Sequence, residues 1–398
     1  MTLNLDEIKA ANKRLKGIVR NTPLMYSHTL SDRVDADIYL KCENHQKTGS
    51  FKIRGAANKI LKLKPKLPAD TTFVTASAGN HAQGLAYAAS ACGYKSTVVM
   101  PKYAPIAKVE ATKDYGANVK LEGDCFDDAY EYACSLPGVF VHPYEDLDVI
   151  AGQGTIGIEI MDQLPDADVV LVPAGGGGLL AGAACAIKSV NPNVEVIGVQ
   201  AENANAIALS FNAKKRICTE SSSTIADGIA VKNPGELNVE LINKYVDDIV
   251  CVSDSDIASA VLFMLERSKL VVEPAGAVSV AALLTSQIDF SGSRVVCLLS
   301  GGNIDMNTVS NIVERGLVAR YRKVEFFLRV PDRSDAVAKV LELLIESGAN
   351  VLAFTIDNVS QDCEVNYQEI YVCVETCGKK HYLDLHEKLD SLGFLIKK

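Results

Sequence analysis

"VVLVPAGGGGLLAGAACAI", residues 169–187, carries no charge over a length that would cross a bilayer. It even holds the small-residue spacing, Gly178 to Gly182, that lets membrane helices approach each other. Yet Pro173 and the four consecutive glycines Gly175 to Gly178 break the run in its middle, where lipid would leave backbone polar groups without partners. A strand, a tight turn and a following helix account for the same residues. A strand covered on both faces reads as a continuous apolar run. The segment therefore predicts a buried parallel strand that ends in a glycine turn and feeds a helix.

The same alternation repeats on either side. "TTFVTA", "STVVMP", "ANVKLEG", "VFVHP", "DVVLVPA", "VEVIGVQ" and "RVVCLLSGG" are short runs rich in valine or isoleucine. Helical patterns such as "GNHAQGLAYAASACG" (79–93) and "ASAVLFMLERSK" (258–269) fall between several of them. This is the pattern of an α/β protein with a parallel sheet wound by helices. Spacing alone leaves open whether there is one sheet or two.

With 398 residues, 48% of them hydrophobic, the chain is long enough for a large core and two or three domains. Its net charge of −9 and the lack of any long lysine or arginine run argue against nucleic acid and anionic membranes as partners. The 11 cysteines form no CxxC pair and no zinc-spaced cluster, although Cys373 and Cys377 lie four apart, so no metal site is expected. The start, "MTLNLDEIKAANKRLKG", lacks the apolar centre of a signal peptide. With unpaired thiols, that points to a reducing cytoplasm.

After about residue 320 the texture changes. The tail reads strand (324–330), helix (332–347), strand (350–358), strand (367–376), helix (379–392) and a short strand (394–397). Val337, Val340, Leu341 and Leu344 recur at helical spacing and Gly348 is placed to end that helix; Tyr382, Leu385 and Leu389 repeat the pattern in the second. A βαββαβ order of this length is a ferredoxin-like unit. "RGLVARYRK" (315–323) is the expected hinge before it.

Three glycine-rich turns each follow an expected strand: "TASAGNHAQG" (75–84), "VPAGGGGLLAG" (172–182) and "LLSGGN" (298–303). Ligands bind at such strand ends in wound sheets, where backbone N–H groups at a helix start hold anions. The run Gly175 to Gly178 is suited to curl around a phosphate, or alternatively to close helix-on-strand packing. A nicotinamide dinucleotide site, with Glu202 as its acidic residue, is a further alternative, but it leaves "KTGSFKIRGAANKI" (47–60) without a role. Read alone, Lys52 in that stretch is a solvated surface charge.

"TGSFKIRGA", "SAGNHAQG", "PAGGGGLLAG" and "LLSGGN", with "RNTPL" near residue 20 and "ADGIAV" at 226–231, resemble the fold-type-II pyridoxal phosphate enzymes, and within them the threonine/serine dehydratases. The resemblance covers roughly residues 5–320. It implies two open, mainly parallel wound sheets in a catalytic domain (1–320) whose smaller subdomain spans about 53–150. The tail (321–398) resembles an ACT-type regulatory domain. The resemblance further implies that Lys52 forms the Schiff base with pyridoxal 5'-phosphate, which requires a neutral amine and hence a depressed pKa. Phe51 would pack near the cofactor or belong to the core. Gly175, Gly176, Gly177, Gly178 and Leu179 would hold the phosphate, Asn80 the phenolic oxygen, and Ser300 would face the pyridine nitrogen. A hydroxyl there does not force the ring nitrogen to be protonated, which favours expelling a β-substituent. Ser77, Ala78, Gly79, Asn80 and His81 would grip the substrate carboxylate, with His81 orienting the loop and the Lys52 amine moving the proton.

The implied reaction is β-elimination from L-threonine or L-serine, giving 2-oxobutanoate or pyruvate and ammonia, in isoleucine biosynthesis or threonine catabolism. Serine racemases are the close alternative, but they place a second serine where this chain has Ala78. Their cation site is only partly matched: Glu202 and the Ala206 backbone are present, with Ala208 where an aspartate is expected. A non-enzymatic reading makes the chain an amino-acid sensor that works through its tail. ACT-type domains pair side by side and bind amino acids, so a homo-oligomer (dimer or tetramer) with an amino-acid or nucleotide effector is expected.

Overall fold

The computed structural model describes residues 3–220, 222–285, 287–357 and 364–394. Its strands, in chain order, are β1 (Leu24–Tyr26), β2 (Asp37–Cys42), β3 (Thr72–Ala76), β4 (Lys95–Met100), β5 (Asn118–Leu121), β6 (Val139–Phe140), β7 (Val169–Pro173), β8 (Glu195–Ala201), β9 (Asp248–Val252), β10 (Arg294–Leu299), β11 (Lys323–Pro331), β12 (Asn350–Asp357) and β13 (Tyr367–Glu375). The chain divides into two compact units, Met1–Ile304 and Asp305–Lys398.

The first unit holds two sheets. The smaller runs β5-β4-β3-β6, all parallel; the larger runs β1-β2-β10-β7-β8-β9, parallel except for β1, which pairs with β2 antiparallel. The opening segment resolves as expected: β7, a turn, then the helix Gly178–Val190, both buried almost throughout. No described helix is long and apolar enough to cross a membrane.

Three strands were not among the expected runs. β1 is three residues long, and β9 is short and only half-buried. β2, "DIYLKC", was hidden by a charge near its end: Lys41 is fully buried, and its amine reaches Glu159 Oε2 at 2.7 Å and the Thr22 carbonyl at 2.7 Å. Arg54 completes this buried cluster, holding Glu43 through two nitrogens at 2.7 and 2.8 Å and Glu159 at 2.6 Å. Two cations face two carboxylates, so the group is neutral as a whole, which is the condition for burying it. The cluster ties the helix Lys52–Leu63 to β2 and to the helix Leu147–Gln163.

The second unit contains β11, the helix Ser334–Ser347, β12, β13 and the helix Lys379–Ser391, with antiparallel sheet order β11-β13-β12. Gly348 ends the first of these helices at φ 74°, as expected. Leu328, Val340, Leu344, Val372 and Leu385 form a core of its own. The strand expected at 394–397 lies outside the described residues beyond 394; the Phe394 carbonyl accepts from the Arg329 N–H of β11 at 2.7 Å.

"RGLVARYRK" is not a loop. Its first half is the end of the helix Met306–Ala319, and only Arg320 to Arg322 separate that helix from β11. The expected helix at 258–269 begins earlier, at Asp254, and passes into a π turn at Met264–Ser268.

Candidate active site

Sequence-distant turns meet at the carboxyl ends of the parallel strands, around a cavity of about 460 Å³. Lys52 begins its helix, ten residues after the end of β2 in a chain stretch that runs beside the end of β10, where the Phe51 N–H donates to the Ser300 carbonyl at 3.1 Å. Asn80 begins the helix that follows β3, and Gly178 the helix that follows β7. Gly84 lets the first of these press on the lysine: a Cβ there would lie 2.9 Å from the Ile53 nitrogen and 3.0 Å from the Lys52 carbonyl carbon. Phe51, Ser77, Ala78, Gly79, His81, Gly175, Gly176, Gly177, Leu179 and Ser300 line the same cavity, so the residues expected to hold cofactor and substrate are brought to one place.

The Lys52 amine donates to the Pro143 carbonyl at 2.9 Å. Burial pulls its pKa down from 10.5 to about 8, against a smaller opposing pull from Glu273. Phe51 packs against the main core, lines the cavity and lies under the Lys52 amine at 5.3 Å, a placement compatible with both roles considered for it. The His81 ring is buried and its Nε2 lies 3.1 Å from the Val141 carbonyl. Burial, and then the charge of Lys52, push its pKa down to about 3, so it stays neutral and is a poor base.

The glycine turn has features that suit both demands weighed for it. A Cβ on Gly176 would lie 2.4 Å from the Tyr144 ring, and Gly177 adopts φ 92°. Among the described residues, the N–H groups of Gly175 to Leu179 have no protein acceptor, and they line the cavity. Five donors at a helix start form a cradle for a phosphate that needs no cationic side chain. The N–H groups of Ala78, Asn80 and His81 are likewise without acceptors, which suits a carboxylate. Gln153, buried in the cavity wall, has both amide atoms unpaired. Ser300 Oγ donates to the Ala275 carbonyl at 3.4 Å. This donor set fits pyridoxal phosphate: an amine to hold the aldehyde carbon, a phosphate cradle, and a hydroxyl on the floor.

The family pattern described as "Pyridoxal-phosphate dependent enzyme" matches residues 15–301. The chain belongs to this family. An L-threonine ammonia-lyase of Thermotoga maritima is 47% identical over 99% of both chains. Among solved structures, a threonine deaminase of T.th. has a TM-score of 0.72 at 38% identity, covering 76% of this chain and 99% of its own. Maize serine racemase has a TM-score of 0.74 at 33% identity, covering 80% of this chain and 99% of its own.

In this pyridoxal-phosphate dependent enzyme, sequence reasoning missed Glu273, Asn303, Pro143 and Gln153, all in the cavity wall. A lone carboxylate in the apolar run "LVVEPAGAVSV" was the available signal for Glu273. No such signal marks Pro143, which acts through its carbonyl. Glu202 is exposed at the end of β8, and the Ala208 N–H is taken by Gln200 Oε1 at 2.8 Å. Among the described residues, no group of three or more His, Cys, Asp or Glu is gathered in metal-binding fashion.

Proposed function

We propose that this enzyme dehydrates L-threonine, and L-serine, giving 2-oxobutanoate or pyruvate and ammonia. The observation that carries the reading is a buried lysine amine of lowered pKa in one cavity with two separate rows of unpaired N–H groups, one suited to the cofactor phosphate and one to the substrate carboxylate. The full-length likeness to an L-threonine ammonia-lyase supports the substrate class. When bound, pyridoxal phosphate supplies a conjugated sink for the electron pair left at the substrate Cα.

The chain's own residues do the rest. Gly175 to Leu179 bind the phosphate through N–H groups, and Asn80 donates to the phenolic oxygen. The loop Ser77–His81 orients the substrate by its carboxylate, which places the Cα hydrogen for the Lys52 amine to accept. His81, held neutral against the Val141 carbonyl, keeps that loop in place. Ser300, in the cavity wall, would offer the cofactor ring a hydroxyl rather than a carboxylate, which would favour elimination.

Incubation with L-threonine is expected to yield 2-oxobutanoate and ammonia in equal amounts. Turnover only of O-acetylserine with sulfide would reject the assignment. The racemase reading is supported by fold likeness, but Ala78 offers no proton donor on the second face; D-serine appearing from L-serine on chiral chromatography would favour it.

We assign the second unit an ACT-like regulatory role, supported by its βαββα order and sheet order β11-β13-β12. Residues 321–398 would form that domain, in a homo-oligomer responsive to an amino acid or a nucleotide. A cytoplasmic location is supported by the ten described cysteines, all unpaired. Threonine kinetics with isoleucine, valine or a nucleoside monophosphate added test the regulatory role, and unchanged curves would remove it.

A further inference from the structure

Glu273 stands immediately before Pro274 at the start of the helix Pro274–Leu284, 4% exposed, in the cavity wall. Its own N–H is spent on the Gly301 carbonyl at 3.0 Å. Its Oε1 accepts from Asn80 Nδ2 at 2.7 Å. Asn80 Oδ1 in turn accepts from Asn303 Nδ2 at 2.8 Å, and the same nitrogen donates to the Thr48 carbonyl at 2.8 Å.

This chain of bonds has one direction. A carbonyl only accepts, so Thr48 forces Asn303 to present its NH2 group, and Asn303 forces Asn80 to present its oxygen. Asn80 then has its NH2 turned toward Glu273. One of those two N–H bonds is used by the carboxyl, and one remains. Glu273 thus terminates the chain with the only kind of group that suits it, an acceptor.

The charged groups that act on Glu273 are Asp227, Lys108 and Lys52. Burial first, and Asp227 second, raise its pKa to about 8, so the side chain is a neutral acid at pH 7 that gains charge as pH rises through that value. A neutral acid still offers its carbonyl oxygen to Asn80 without placing a second anion beside the cofactor site.

We propose that Glu273 is a positioning residue, which holds the Asn80 amide in the one orientation that leaves an N–H free for the phenolic oxygen of pyridoxal phosphate. The inference rests on assigning Asn80 to that oxygen. Losing the acceptor leaves Asn80 tethered on its oxygen side alone, by Asn303, so that its NH2 group can swing off the phenolic oxygen, an effect on the order of one hydrogen bond, or about tenfold in affinity.

The test compares Glu273→Ala, Glu273→Gln and Asn80→Ala by two readouts other than turnover: the dissociation constant of pyridoxal phosphate from the apoenzyme, and the absorbance of the resting holoenzyme from about pH 6.5 to 9.5. Glu273→Ala is expected to weaken cofactor binding about tenfold, as Asn80→Ala does, while Glu273→Gln, which keeps the acceptor, stays within about threefold. Glu273→Gln is also expected to lack any absorbance change near pH 8 that ionisation of the Glu273 carboxyl gives in the unaltered enzyme. Unchanged affinity in Glu273→Ala beside a weakened Asn80→Ala overturns the positioning role alone. Unchanged affinity in both overturns the assignment of Asn80 as well. Should the alanine variant not fold, Glu273→Met, which fills the space without an acceptor, takes its place, and unchanged affinity there beside a weakened Asn80→Ala overturns the positioning role.

Discussion

At the scale of single residues, the chemistry turns on how much of the Lys52 amine is neutral. An unperturbed lysine is almost wholly charged at neutral pH. With the pKa pulled down to about 8 by burial, roughly a tenth is neutral at pH 7. Only the neutral form attacks an aldehyde, so the rate at which the apoenzyme takes up pyridoxal phosphate should rise about tenfold per unit up to pH 8 and level off above it. Stopped-flow absorbance measures this directly; a rate still climbing through pH 10 would mean that the amine is not depressed. Lys52 was legible because its neighbours "SF" and "RGA" are adjacent in the chain. Glu273 was not, because its role depends on Asn80, 193 positions away, and on Asn303 beyond β10.

The element that carries Lys52 is held from behind by charge rather than by apolar packing alone. Arg54, two residues further along the same helix, is fully buried between Glu43 and Glu159, and Lys41 shares Glu159. Removing one member leaves a carboxylate without its partner in the core, so Arg54→Ala should lower stability by about 3–5 kcal/mol, read from urea unfolding. Arg54→Lys should recover little of it, since an ammonium cannot bridge both carboxylates with a planar fork. A loss below about 1 kcal/mol in Arg54→Ala would show that the cluster is not needed to hold the helix. This cluster also explains what the sequence hid. β7 is all apolar and β10 is so after its first residue, Arg294, and both announce themselves, whereas β2 carries a lysine at a core position, and its compensating carboxylate lies 118 residues away. Nothing local distinguishes that lysine from a solvated one.

For the whole molecule, the division into two units predicts how it unfolds. The first unit is built on Val170, Val172, Leu180, Ile187 and their neighbours, and the second on Leu328, Val340, Leu344 and Val372, with no residue shared between the two clusters. The sequence showed the second unit clearly, since two amphipathic helices alternate with three strands in a short span. The helix Met306–Ala319, whose last turns include the start of the expected hinge, lies in the same compact unit as β11. Leu344 is fully buried in the second core. Leu344→Ala leaves a cavity there and should cost that unit about 2–5 kcal/mol. Calorimetry is expected to show two transitions, of which the variant lowers one, while the absorbance of the bound cofactor is lost at the same temperature as before. A single transition that moves as a whole, carrying the cofactor signal with it, would show instead that the two cores melt as one cooperative body.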